Sequence, residues 1–187
     1  MARPREFDIE DALEKAMNVF WERGYEEASM PDLLDGMGLS RGSLYKAFTD
    51  KKTLFLKSLE NYDQHIVCDA AASLSAPPTS TGPNGWDRII GLFENVADAW
   101  DAGDRRGCLL CSAAVGPASY DAEIADAVSQ GLMKLRHAFA AALGEHGEKY
   151  ADMLVMQYIG LRVLCRSHVA PNVVHNGVKS LYVLRDL

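Results

Sequence analysis

Hydrophobic residues recur along this chain at helical intervals, and period-two alternation is hard to find. Ile9, Ala12, Leu13, Ala16, Val19 and Phe20 stand at i, i+3, i+4, i+7, i+10 and i+11, one apolar stripe on one helix. Gly24 is placed to stop it. In the following "SMPD", Ser29 suits an N-cap, Pro31 a first turn, and Asp32 stands three residues after the cap. This second helix is expected to end near Met37, with Gly38 taking the left-handed position beyond it. Ser40 then caps a third helix. Leu39 and Leu44 form a hydrophobic staple across that cap, and Leu44, Ala47 and Phe48 share the inward side. A fourth helix is predicted after Asp50, running through Leu54, Phe55, Leu59 and Tyr62 to about Leu74.

The stretch "SAPPTSTGPNG", Ser75 to Gly85, is rich in Pro, Gly, Ser and Thr and reads as a loop. Beyond it, Trp86–Ala102, Cys108–Val115, Asp121–Leu143, Lys149–Val169 and Asn172–Leu187 carry helical periodicity. The pattern predicts an all-α protein. Residues 1–50 form a helix-turn-helix unit and 51–187 a helical body, with 51–74 as connecting helix and 75–85 as loop.

Charge changes this picture locally. The chain of 187 residues carries a formal net charge of −7, so it is no basic nucleic-acid coat. From residue 41 to 57, however, Arg41, Lys46, Lys51, Lys52 and Lys57 face one acid, Asp50, a balance of +4. The four cysteines show no disulfide spacing, which fits a reducing cytoplasm. "MARPREFDIE" lacks the apolar stretch of a signal peptide, and no run approaches the ~18 apolar residues of a membrane span.

The candidate chemistry sits on the third helix, "GLSRGSLYKAF". Arg41 and Tyr45 are four apart, as are Gly42 and Lys46, so they share the polar face. Gly42 in a first turn leaves a bare spot where another backbone can approach. Arg41 can read guanine or hold phosphate; Ser43 and Tyr45 can donate to phosphate oxygens. Lys51 opens the fourth helix, where a cation opposes the helix dipole unless a phosphate binds there. Together these features point to a DNA-binding helix-turn-helix.

"GYEEASMPDLLDGMGLSRGSLYKAFTDKKTLF", Gly24 to Phe55, closely resembles the N-terminal domain of TetR-family transcriptional regulators. Ala47 departs from the bulkier residue often found before the Phe. "RGCLLCSAAV", from Arg106, is similar to a segment of one branch of the family. The resemblance implies an all-helical homodimer of about nine helices per chain, a repressor released from a palindromic double-stranded operator by a small-molecule effector. It places Ser29, Arg41, Gly42, Ser43, Tyr45, Lys46 and Lys51 at DNA-facing positions.

Phe93, Trp100, Met133, Phe139, Met153 and Met156 recur at helical spacings and read first as core. The resemblance makes them, with Cys108, candidates to line an effector pocket for an apolar, aromatic or lipophilic ligand. Leu161, Leu164, Val174, Val178, Leu181 and Tyr182 are the expected dimer-interface residues. "GLSRG" formally matches the G-x-S-x-G hydrolase elbow, but a helix precedes it instead of a strand. The scattered histidines and the Cys108–Cys111 pair give no zinc spacing, so no metal or cofactor is expected, and no enzymatic motif is found. The two cysteines read either as inert packing or as a thiol sensor acting through Cys108, with Arg105 and Arg106 beside it.

Overall fold

The computed structural model describes residues 8–77, 82–167 and 169–186. Those residues form helices only: α1 (Ile9–Arg23), α2 (Met30–Met37), α3 (Arg41–Ala47), α4 (Lys51–Tyr62), α5 (Cys68–Ser75), α6 (Gly85–Asp101), α7 (Leu109–Val115), α8 (Ala122–Leu143), α9 (Gly147–Arg166) and α10 (Pro171–Arg185). A π-helical turn, Asp63–Val67, joins α4 to α5, so the connecting helix runs on as one rod. The all-helical expectation holds.

The local signals of the first three helices act as read. Asp8 caps α1 and Gly24, at φ 86°, ends it. Ser29 and Asp32 form the reciprocal capping box of α2. Gly38 follows at φ 65° and ψ 31°, a left-handed conformation that glycine adopts without a Cβ clash. Ser40 caps α3 through the Ser43 amide. The stripe of α1 buries Ala12, Ala16, Met17, Phe20 and Trp21. Phe20 meets Phe55 of α4 edge-on at 4.9 Å between ring centres, and Tyr25 lies 4.7 Å from the same ring. The helix-turn-helix therefore draws the first turns of α4 into its own core.

One element boundary differs from expectation. Asn84 and Asp87 make a second capping box, which starts α6 at Gly85 inside the stretch read as loop. Residues 78–81 of that stretch, His168 and Leu187 lie outside the described residues. In the body, α8 and α9 fold back on each other through a 3-10 turn, Gly144–His146. Phe93 of α6, Phe139 of α8 and Tyr158 of α9 stack in its centre.

Two ties hold α1 to this body. Trp21 Nε1 donates to the Gly107 carbonyl at 3.2 Å. Arg166 of α9 donates to the carbonyls of Trp21, Glu22 and Arg106, each at 2.9 Å, and so caps the negative end of α1. Lys52, counted above with the basic run, instead pairs with Asp121 at 2.7 Å and Glu123 at 3.0 Å, fastening α4 to α8.

Candidate nucleic-acid interface and ligand cavity

Helix α3 has two faces of opposite character. Leu44 is fully buried, with Phe48 just beyond the helix. Arg41, Gly42, Tyr45 and Lys46 are exposed. Arg41 lies 5.9 Å over the Tyr45 ring, a contact that spreads the guanidinium along the surface. Neither Arg41 nor Lys46 has a carboxylate partner among the described residues. Lys57, by contrast, pairs with Glu60 at 2.7 Å. The basic run therefore divides: Lys52 and Lys57 serve the fold, while Arg41 and Lys46 keep their charges for solvent.

A Cβ built on Gly42 meets nothing within 4 Å, so nothing inside the protein requires glycine there. Ser43 Oγ is 3.0 Å from Ser40 Oγ, and Ser29 Oγ donates to Asp32 at 2.5 Å; both hydroxyls hold helix caps. Lys51 Nζ donates to the Glu26 carbonyl at 3.4 Å and lies 4.6 Å over the Tyr25 ring, at the joint between α1 and α4.

Behind this unit, between the end of α1, α7 and α9, lies an apolar cavity of about 510 Å³. Its lining includes Cys108, Cys111, Pro117, Ile159, Arg162 and Val163. A hydrogen-bonded chain through Tyr62 links two of its lining residues, Arg162 and Cys108. Arg162 Nη2 donates to Tyr62 Oη at 3.2 Å, and Tyr62 Oη donates to Cys108 Sγ at 3.7 Å. Tyr62 in turn packs edge-on against Trp21 at 4.9 Å. The Cys111 thiol hydrogen-bonds Cys108, and this bond, with the Arg162 charge and the Tyr62 hydroxyl, brings the Cys108 thiol down to about 6. The same bond, then burial, pushes Cys111 up. Burial pushes Tyr62 and Tyr158 up.

The expected pocket residues are placed differently. Of the seven, only Cys108 lines this cavity. Phe93, Phe139 and Trp100 are buried in packed core, where their bulk leaves no space. Met133 and Met156 stand on the surface, 43% and 65% exposed, because each lies on the outer side of its helix. Met153 is half-buried against the core. The expected interface list is revised as well. Val174, Val178, Leu181 and Leu161 are buried within the chain itself, since α10 packs that stripe inward. Leu164 is half-buried, while Tyr182 is exposed and donates to Glu94. Among the described residues no cluster of His, Cys, Asp or Glu could hold a metal ion, and no helix is long and apolar enough to cross a membrane.

Residues missed by the pattern are Arg162, which lines the cavity, and Tyr62 and Trp21, which stand behind it. Arg162 had a visible signal: with Tyr158 and Cys165 it stands at i, i+4 and i+7, so a charge occupies an inward face.

The family model for bacterial regulatory proteins of the tetR family matches residues 12–57, the helix-turn-helix and the start of α4. The HTH-type transcriptional regulator YezE of Bacillus subtilis is 30% identical over 140 residues, 74% of this chain and 70% of that protein. The HTH-type transcriptional repressor ComR of Escherichia coli is 30% identical over 137 residues, but the match spans only 61% of its length. A cysteine mutant of the TetR-family regulator CifR, solved with a 26-bp operator duplex, superposes with a TM-score of 0.80 at 26% identity, covering 96% of this chain and 97% of that one. Reduced NemR of E. coli shares the fold with a TM-score of 0.77 at 17% identity, covering 92% and 93%. The outward cationic face of α3, the capped turn before it and these likenesses agree: the chain belongs to the TetR family of DNA-binding transcriptional regulators.

Proposed function

We propose that this chain is a cytoplasmic, homodimeric repressor, released from a palindromic operator when a small molecule enters the cavity behind α1. Residues 1–50 read DNA, and 51–187 carry the effector and the partner. The observation that carries this reading is the set of Arg41, Tyr45 and Lys46 around the bare Gly42, all directed outward. An N-terminal helix face of this kind fits a major groove, and Ser29, Ser43 and Lys51 stand at helix starts where phosphates are held. One seven-residue helix makes few contacts, and a second half-site supplies the remainder. The partner fits the exposed apolar residues of α9 and α10, Met156, Val163, Val173 and Val183, rather than the inward stripe.

Coupling follows from position. Two lining residues of the cavity, Cys108 and Arg162, hydrogen-bond Tyr62 behind them, Tyr62 touches Trp21, and α1 carries the DNA-binding unit. A ligand that favours one setting of α1 against the body shifts the population of dimers whose recognition helices fit the operator. Selection of binding sites from random duplexes tests the reading. A palindrome with half-sites ~34 Å apart is expected, and enrichment of no sequence would refute it.

A second reading has one observation in its favour: Cys108, with its lowered thiol, lies on the cavity floor. An electrophile or oxidant reaching it would change the same floor. Cys108→Ser separates the two. It abolishes the operator response under the thiol reading and leaves a reversible effector's response in place under the first.

A further inference from the structure

Arg162 carries a charge that no carboxylate among the described residues answers. Its Nε is out of contact with solvent and has no acceptor among the described residues. Its one hydrogen bond goes to the Tyr62 hydroxyl, itself a neutral group. Aromatic rings offer only distant contacts, Trp21 at 5.9 Å and Tyr158 at 6.0 Å. The neighbouring cations are all spent. Arg23 pairs with Asp32 at 2.8 Å, Arg106 with Asp104 at 2.8 Å, and Arg166 with the carbonyls at the end of α1. The Cys108 thiolate that this charge favours is an anion nearby, but it makes no hydrogen bond to Arg162 among the described residues, and a bidentate carboxylate is the partner the guanidinium fork fits.

We propose that the cavity binds an amphipathic monocarboxylate, its carboxylate on Arg162 and its hydrocarbon body along Ala114, Pro117, Leu132, Ile159 and Val163. The inference names the chemical class of the effector assigned above to this cavity and rests on that assignment. A single negative charge is specified because one guanidinium is uncommitted. Glu26 and Glu27 at the lining disfavour a more highly charged anion. About 510 Å³ of mainly apolar space accommodates a medium-chain acyl group or a fused aryl ring. Occupation also has a local consequence. The ligand's carboxylate takes over the charge that now favours the Cys108 thiolate, so the thiol moves back toward its ordinary range.

Calorimetric titration of the full chain tests this with four probes: octanoate, 2-naphthoate, and the matching neutral alcohols. Binding of at least one acid, at least tenfold tighter than its alcohol, is expected, and the stronger acid tells an acyl from an aryl source. Arg162→Met lowers acid affinity at least tenfold and leaves alcohol affinity unchanged. Equal binding of acid and alcohol, full acid affinity in Arg162→Met, or no binding by either acid would overturn the proposal. A second readout needs no change at Arg162. In a chain with Cys68 and Cys165 replaced by Ser and Cys111 kept, saturating acid slows alkylation of Cys108 severalfold at pH 7 and the alcohol does not; an unchanged rate with bound acid counts against Arg162 as its seat. Acid that binds as described yet leaves operator affinity unchanged supports this site and removes effector release from the functional reading.

Discussion

Arg41 and Lys46 on α3 and Arg162 on α9 all lack a carboxylate partner among the described residues, and they lack it at opposite cost. Arg41 and Lys46 project from α3 into water, where an unpaired charge is fully hydrated. Arg162 lies against Tyr62 at the floor of an apolar cavity, where it is not. On the surface, the missing partner costs the fold nothing and leaves charge for phosphates. In the interior, the missing partner is a standing penalty, which a stable fold tolerates at a site built for a ligand. The same residue type thus marks two sites for different reasons, and exposure decides which reason applies.

The largest effect should come from removing the outward pair. Arg41→Ala with Lys46→Ala is expected to weaken operator binding roughly a hundredfold or more, at about 1–3 kcal/mol per contact, and to lower the salt slope by about 2. Thermal unfolding should stay within about 0.5 kcal/mol of the parent, as for other exposed substitutions. Fluorescence anisotropy across a salt series measures the first effect, and calorimetry the second. A large loss of stability would mean that these charges belong to the fold, and the contrast with Arg162 would collapse.

Next comes the reach of the buried charge. With Cys68 and Cys165 replaced by Ser and Cys111 kept, alkylation of Cys108 should titrate with a midpoint near 6 rather than near 9. Arg162→Met should move that midpoint upward, because one of the causes holding the thiolate is gone. The linkage has a definite sign. A folded-state value below the unfolded one contributes stability that is complete above about pH 9 and fades as pH falls toward 6. Cys108→Ser should flatten that part of the pH–stability curve. A midpoint that ignores Arg162 would show that the guanidinium charge does not reach the sulfur.

A smaller and less usual effect is expected on the fold itself. Removing a charge from an interior commonly destabilises because a partner is left behind, but Arg162 leaves no carboxylate behind, and the Cys108 thiolate it favours can take up a proton. Arg162→Met should therefore be neutral or slightly stabilising in urea unfolding, with an unchanged m-value. A loss of 3 to 5 kcal/mol, the ~3–5 kcal/mol scale for breaking a buried ion pair, would reveal a counter-ion that the cavity's geometry does not show.

How much of this was legible in the sequence follows from the range of each signal. Ser29, Asp32, Gly38 and Ser40 act on backbone within three or four residues, so the helix-turn-helix could be read directly. Phe93, Phe139 and Trp100 were read as pocket residues because they are large, but bulk fills a core. A cavity lies where bulk is missing, here beside Ala114, Gly116 and Pro117, and no periodicity marks an absence. The stripe of Val174, Val178 and Leu181 correctly said that one face of α10 is buried. It could not say against what, since a helix stripe looks alike whether the partner is the same chain or another. Arg162 needed the opposite habit, attention to a charge on an inward face of α9.

The smallest effect on the fold tests the bare spot on α3 most directly. Gly42 sits in a helix, outside the left-handed region, and an added Cβ would meet no atom within 4 Å. Gly42→Ala should therefore stabilise α3 by up to about 1 kcal/mol, less in a first turn, and raise Tm by about 1–3 °C. If glycine is present so that another backbone can come close, the same methyl group must weaken operator binding while strengthening the protein. That inverse pair of changes cannot arise from misfolding, which moves both quantities downward. A Gly42→Ala chain that gains stability and keeps its operator affinity would show that α3 meets DNA at some other part of its surface. The contrast between outward and buried cations would then need a different outward site.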